Sequence, residues 1–270
     1  MTSAHPTLFN FELTPLDHLR PWGRPGQHQL HWFGLTDGQY WIQAGPSTLL
    51  EYSELARTRG APRYCSYQVV RLYEDLMDLL PSVVEPVPAS LAPYLSGDHS
   101  IAWETTFRAW REIPPAQLNE QQFRDVADAA STWIGKRTLD TSYLSPSAKI
   151  RLWFDGQLVH LAWDNRLKIF QGTPAWSALS GCFQMTLEDF ISEVVSFHTR
   201  LMEQMSERVI HVLAGALPDS VHIDLPELRH EHQYRSHNDV RHRTVPTNTD
   251  WSLVRAALAK IEGNSKPLTL

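Results

Sequence analysis

One pattern occurs twice in this chain and constrains its fold more than any other. Gln27–Gln43 reads QHQLHWFGLTDGQYWIQ, and Lys149–Asp164 reads KIRLWFDGQLVHLAWD. Each runs through aromatic, strand-like sequence to Trp-Phe, meets Asp-Gly followed by Gln, and continues into a second strand carrying Trp. Asp-Gly between alternating apolar residues is the strongest short-range hairpin signal, because a type I′ turn needs positive φ at both central residues. Two antiparallel hairpins are expected, a longer one turning at Asp37-Gly38 and a tight one at Asp155-Gly156. A two-residue loop in the second would set Phe154 opposite Gln157, Leu152 opposite Val159 and Ile150 opposite Leu161 on a core face. Trp153 would then oppose Leu158, and Arg151 would oppose His160, on a face only partly covered. Neither hairpin carries a catalytic group.

Around these segments the pattern is mostly helical. Leu8–Leu13 alternates as a strand. A short helix is expected over Thr48–Arg57 and a longer one over Tyr64–Leu80, with Val69, Leu72, Tyr73, Leu76, Leu79 and Leu80 inward and Glu74, Asp75 and Asp78 outward. Pro81 is expected to end it, and the proline-rich segment 81–97 reads as a linker. Ile101–Ile113 places Trp103, Phe107 and Trp110 on one side before Pro114-Pro115, and Asn119 caps a helix through Ile134. A strand near Lys168–Phe170 and another within Ala175–Met185, with a bulge suggested at Gly181, extend the second hairpin into a meander. Thr186–Leu213 carries the longest apolar stripe, capped by Thr186 and closed by Gly215. Asp224-Leu225-Pro226-Glu227 opens a further helix and Trp251–Ile261 forms the last. Strands grouped with long helices, without βα alternation, indicate an α+β fold of antiparallel hairpins and meanders packed on amphipathic helices. The 270 residues suit one domain, or two integrated lobes of about 1–85 and 98–270.

Composition narrows the function. Ten Trp among 28 aromatic residues promise a core dominated by large rings. The net charge of −6 argues against sequence-independent nucleic-acid binding, which needs a basic field to displace counterions. Two cysteines, Cys65 and Cys182, are too few for a secreted disulfide scaffold and read as buried, reduced thiols. With no signal-like start and no run approaching ~20 apolar residues, a cytoplasmic chain that does not enter membranes is expected. Neither G-x-x-x-x-G-K-[ST] nor G-x-G-x-x-G occurs, and no cofactor is expected.

Pro15-Leu16-Asp17, Pro21-Trp22-Gly23 and the run Leu30 to Ile42 (LHWFGLTDGQYWI) resemble the opening of a bacterial family classed as a domain of unknown function. Trp153-Phe154-Asp155-Gly156, Glu193-Val194 with Phe197, Met205 with Arg208-Val209, and Glu231-His232 with Arg235 extend the resemblance over most of the chain. The resemblance brings no activity and assigns no residue a role. Bacterial soluble proteins of this kind include many toxin-neutralising immunity proteins, an association of genre alone.

Three groups of residues are candidate sites. The aromatic tip Trp32, Asp37, Tyr40 and Trp41 is a candidate recognition surface, since Trp and Tyr dominate interface hot spots; burial between helices is the favoured reading of these residues. The acidic stripe Glu74, Asp75 and Asp78 is either a solvated face or a patch for a basic partner. Arg229–Arg243 (RHEHQYRSHNDVRHR) is the densest polar cluster, and His230, His232, Arg235, His237 and Arg241 form a candidate anion or ligand surface. His230-Glu231 starts like a zinc helix, but position 234 is Tyr where a second His is needed, so no metal is expected. The simpler reading is an ion-pair ladder, with Glu231, Arg235, Asp239 and Arg243 four apart on one exposed helix. His198, within the apolar stripe of the long helix, reads as a hydrogen-bonded core histidine rather than a general base.

These readings lead with a binding protein that occupies a protein partner, in its specific form an immunity protein neutralising a toxin. A small-molecule binder or enzyme with a site between the sheet and Arg229–Arg243 is the alternative, and a structural subunit of a larger assembly is the third.

Overall fold

In the computed structural model, which describes residues 7–24, 27–112 and 118–264, the first repeated segment is not a hairpin. Phe9–Leu13 forms the expected strand (β1), His28–Gln29 a short strand (β2), and Asp37–Ala44 one eight-residue strand (β3) in which Asp37-Gly38 are the first two residues and not a turn. The strand β3 is central. It pairs with β1 on one edge, and with Ser47–Leu49 (β4) and Cys65–Gln68 (β5) on the other. Its even-numbered residues Gly38, Tyr40, Ile42 and Ala44 are buried and the odd-numbered ones half-buried. Gly38 is required for a reason other than turning: a Cβ there would lie 2.4 Å from the Glu12 carbonyl oxygen of β1. The turn occurs at Gly45, with φ of +60°. Burying side chains such as Ile42, worth ~1.5–3 kcal/mol each, overrides the local turn preference. The expected helix over Thr48–Arg57 is correspondingly β4 followed by a short helix, Glu54–Thr58 (α1), whose first turn Ser53 caps. The expected start at Tyr64 gives way to β5, because Cys65–Gln68 completes the edge of β3; the helix proper is Val69–Val83 (α2), which continues through Pro81.

The second repeated segment is a hairpin. Ile150–Phe154 (β6) and Val159–Asp164 (β7) are joined by a four-residue loop with Gly156 at φ +97°. Asp155 Oδ1 accepts from the amides of Gln157 and Leu158, which enlarges the loop and moves the pairing by two residues. Phe154 therefore opposes Val159, Leu152 opposes Leu161 and Ile150 opposes Trp163, and a shift of two preserves the expected core face. The other face is corrected. Trp153 opposes and stacks on His160, Arg151 opposes Ala162, and the face is buried. Two short strands, Ile169–Phe170 (β8) and Thr173–Pro174 (β9), precede Ser180–Met185 (β10), which pairs with β7 in unbroken register. Gly181 is no bulge; it sits beneath the Trp163 indole, where a Cβ would come within 2.4 Å.

Helices cover both faces of this sheet. The expected helices appear as Gly97–Glu112 (α3), Glu120–Gly135 (α4) with a full Asn119–Gln122 capping box, and Leu187–Leu213 (α5) capped by Thr186. The expected break at Pro114-Pro115, and Ile113, lie outside the described residues. After Val221–His222 (β11), parallel to β2, come Leu225–Ser236 (α6), capped by Asp224, and Trp251–Asn264 (α7). Ile150, Leu152 and Leu161 face a large core shared with the first sheet, α2 and α5. Trp153 and Ala162 face a second core with α3, α4 and α7, in which Trp103, Phe107, Trp110 and Phe123 form a continuous stack. The segment 81–97 is packed: Val87, Leu91 and Leu95 belong to this second core. Arg137, fully buried, reaches Glu85 at 2.8 Å, and the Glu85 carboxylate also accepts from the Thr247 and Thr249 hydroxyls. No helix among the described residues is long and apolar enough to cross a membrane.

Candidate functional site

The structure brings two of the sequence-derived sites to one place. Helix α6 lies beside α2, and the groove between them, about 580 Å³, is lined by Arg71, Tyr73, Glu74 and Asp78 of α2 and by Glu227, His230, Tyr234 and Arg235 of α6. A contiguous cavity of about 640 Å³ adds Gln233, His237, Asp239 and His242, and shares His230, Tyr234, Asn238 and Arg243. The acidic stripe and the basic segment thus form opposite walls of one groove.

Its floor is built from the buried rings of Trp32 and Tyr73 and from half-buried polar groups. The Arg235 guanidinium bonds Glu231 through Nε (3.0 Å) and Glu74 through a terminal nitrogen (2.9 Å), and lies 4.5 Å above the Trp32 indole. Trp32 is fully buried and donates its indole N–H to His232 Nδ1 at 3.2 Å. That bond fixes the tautomer: the ring proton sits on Nε2, which donates to Ser206 Oγ at 2.8 Å. His232 is therefore a donor to Ser206 and does not activate it as a nucleophile, and burial holds its pKa below the ordinary value. Tyr73 adds a second anchor, its hydroxyl meeting His198 Nδ1 at 3.0 Å and accepting from Asn238 Nδ2 at 3.1 Å. His198 is hydrogen-bonded and, depressed by burial, favours its neutral form.

Several expectations are corrected here. Trp32 and Tyr40 are fully buried and present no surface. Trp41 is half-buried and stacks on Tyr64 with centroids 4.0 Å apart, on the opposite face of β3 from Tyr40. Asp37 opens β3, half-buried, with its carboxyl raised by desolvation. Asp75 points inward, 7 % exposed. It pairs with Arg71 and accepts from the Tyr143 hydroxyl, which in turn accepts from Tyr40, and desolvation pushes it up to about 6. The ladder on one helix does not form, because α6 ends at Ser236 and Asp239 instead caps a 3₁₀ turn over Val240–Thr244. Arg241 and His237 are exposed, and the three histidines diverge: His232 inward, His230 into the groove, His237 onto the Gln233 carbonyl. Among the described residues no three His, Cys, Asp or Glu side chains converge as a metal site would require. Cys65 is buried, with its thiol pushed up to about 12 by desolvation, whereas Cys182 is exposed.

The groups left accessible in the groove are Asp78, Glu227, His230 and Arg243, with Tyr234 76 % exposed on its rim. From sequence, Tyr73 reads only as an inward core residue, Tyr234 only as a break in the zinc pattern and Asn238 not at all, so none of the three is among the expected site residues. Tyr234 had a legible signal, an aromatic residue at a strongly polar helical position.

A family model described as a family of unknown function, DUF5984, matches residues 8–257. The chain belongs to this family. The match takes in the four- and three-stranded sheets, the groove and the first half of α7. No curated protein and no solved structure matches the chain.

Proposed function

We propose that this chain is a non-covalent binding protein that recognises a protein partner along the α2–α6 groove. The observation that carries the reading is the contrast between floor and walls. The floor is locked by the Arg235 and His232 bonds, while Tyr234 stands 76 % exposed above it between accessible charges of both signs. An exposed aromatic anchor on a rigid base, ringed by charge, suits protein recognition, where Tyr and Arg dominate the binding energy and charge steers encounter. Ligand pockets of this size are normally apolar and enclosed, and this groove is open and charged. The finer form, a toxin held inactive, draws support from the net charge of −6 and from Asp78 and Glu227, which suit a basic partner.

The test is affinity capture from host cells, identification of the captured protein, and surface kinetics with variants. Tyr234→Ala is expected to raise the off-rate, and Asp78→Lys with Glu227→Lys to lower the on-rate and its salt dependence. Unchanged kinetics in both, or retention of a small metabolite by the groove instead of a protein, would overturn the reading.

A further inference from the structure

The three-stranded sheet ends on β10, and the direction of each backbone group on that strand follows from its neighbours. The ladder with β7 continues past Ser180, where the Asn165 amide donates to the Leu179 carbonyl at 2.6 Å. In an antiparallel strand the N–H and C=O of one residue point to the same side, and successive residues alternate. Leu179, Gly181, Phe183 and Met185 therefore address β7, and the backbone groups of Ser180, Cys182 and Gln184 point away from the sheet. All three residues are exposed, and among the described residues no second strand or bridge pairs with β10 on that outward side. The opposite edge is treated differently. The outward groups of β6 are taken by the Leu139 amide, the Arg137 carbonyl and the Val87 amide. Exposed edges are normally blunted by Lys, Pro or a bulge, and Ser180–Met185 has none of these.

We propose that β10 is an association edge that pairs antiparallel with β10 of a second copy of this chain, about a two-fold axis through Cys182. A two-fold antiparallel pair must set one residue opposite itself, and an isologous contact must be self-complementary. With Cys182 on the axis, Ser180 meets the second copy's Gln184, and every outward N–H and C=O of the strand gains a partner. On the other face, Leu179, 42 % exposed, meets the second copy's Met185. Gly181 meets the second copy's Phe183, a ring arriving beside the Trp163 indole that already lies over that glycine. Glycine faces phenylalanine at one of these pairs, and two apolar side chains of similar size meet at the other. No side chain from Leu179 to Met185 is charged, so the strand meets its own copy without the like-charge opposition that destabilises cross-strand pairs. This neutrality, together with the glycine–phenylalanine fit, is what selects a second copy as the occupant. The edge shares no residue with the α2–α6 groove, so the two readings stand or fall separately.

The experiment is sedimentation of the full chain over a concentration series, with charge variants at the axis. Wild type is expected to dimerise. Cys182→Lys and Cys182→Asp are each expected to be monomeric with unchanged circular dichroism, and their equimolar mixture to dimerise again. In the wild-type dimer, residues on the axis have Cα atoms about 5.5 Å apart, within disulfide reach. Mild oxidation should therefore cross-link Cys182 to its copy while buried Cys65 stays unmodified. A wild type that stays monomeric throughout, or a dimer that survives Cys182→Lys and does not cross-link at Cys182, would overturn the proposal.

Discussion

Arg235 and Trp32, 203 positions apart in the chain, meet with the guanidinium 4.5 Å from the indole centroid. The same guanidinium holds Glu231 and Glu74, so one side chain joins the first aromatic segment, the acidic helix and the basic helix. A cation–π contact worth ~0.5–2 kcal/mol and two half-buried ion pairs make Arg235→Ala expected to destabilise by about 1–3 kcal/mol. Arg235→Lys should recover less than half of that, because an ammonium cannot bond two carboxylates and stack in one plane. Urea unfolding of both variants measures this. His230→Ala and His237→Ala, at exposed positions, should fall within about 0.5 kcal/mol of wild type.

His232 gives the fold a defined acid sensitivity. Its folded pKa is lowered by burial, so the unfolded chain binds the proton more readily. The stability it contributes is full above the unfolded pKa of ~6.5 and is lost as pH falls below that value. Protonation also removes the lone pair that accepts from Trp32. Denaturant midpoints should fall between pH 7.5 and pH 5.5 more steeply in wild type than in His232→Gln (ordinary assay values bracketing ~6.5). Equal slopes would remove His232 from this account.

Asp75 works in the opposite direction. Desolvation raises its folded pKa from 3.8 to about 6, so the folded state favours the protonated carboxyl. Its contribution is full below ~pH 4 and is lost as pH rises through about 6. Asp75→Asn keeps an acceptor for the Tyr143 hydroxyl and removes the titration. Relative to that variant, wild type should lose up to about 3 kcal/mol between ~pH 4 and ~pH 7, measured by chemical unfolding at the two values.

The two Asp-Gly pairs show what was legible in the sequence. At Asp155-Gly156 the turn chemistry decided the structure, and only the loop length escaped, because the Asp155 side chain bonds two amides that periodicity does not reveal. At Asp37-Gly38 the same letters sit in a central strand, where pairing with β1 and β5 outweighs local preference. Helix caps at Asn119, Thr186 and Asp224 were readable because capping is local. That Asp75 turns inward was hidden, since its partner Tyr143 is 68 positions away. The convergence of α2 and α6 was likewise invisible: each wall had a pattern, and nothing local says that they face one another.

Glycine substitutions separate the two environments. Gly156→Ala meets open space but positive φ, and should cost about 1–2 kcal/mol. Gly38→Ala must push the β1 backbone away from a 2.4 Å approach, so it should cost more than Gly156→Ala. Thermal unfolding of the two variants decides between them, and the reverse order would contradict the central placement of β3.

The most direct test of the groove as a recognition surface is site-specific photo-crosslinking in host cells. A photoreactive residue replaces Tyr234 in one variant and Leu167, exposed and outside the groove, in a control. The expected result is one dominant protein adduct from position 234 that is absent from 167 and weakened by Glu227→Lys. No adduct from position 234, or the same adducts from both positions, would contradict the account.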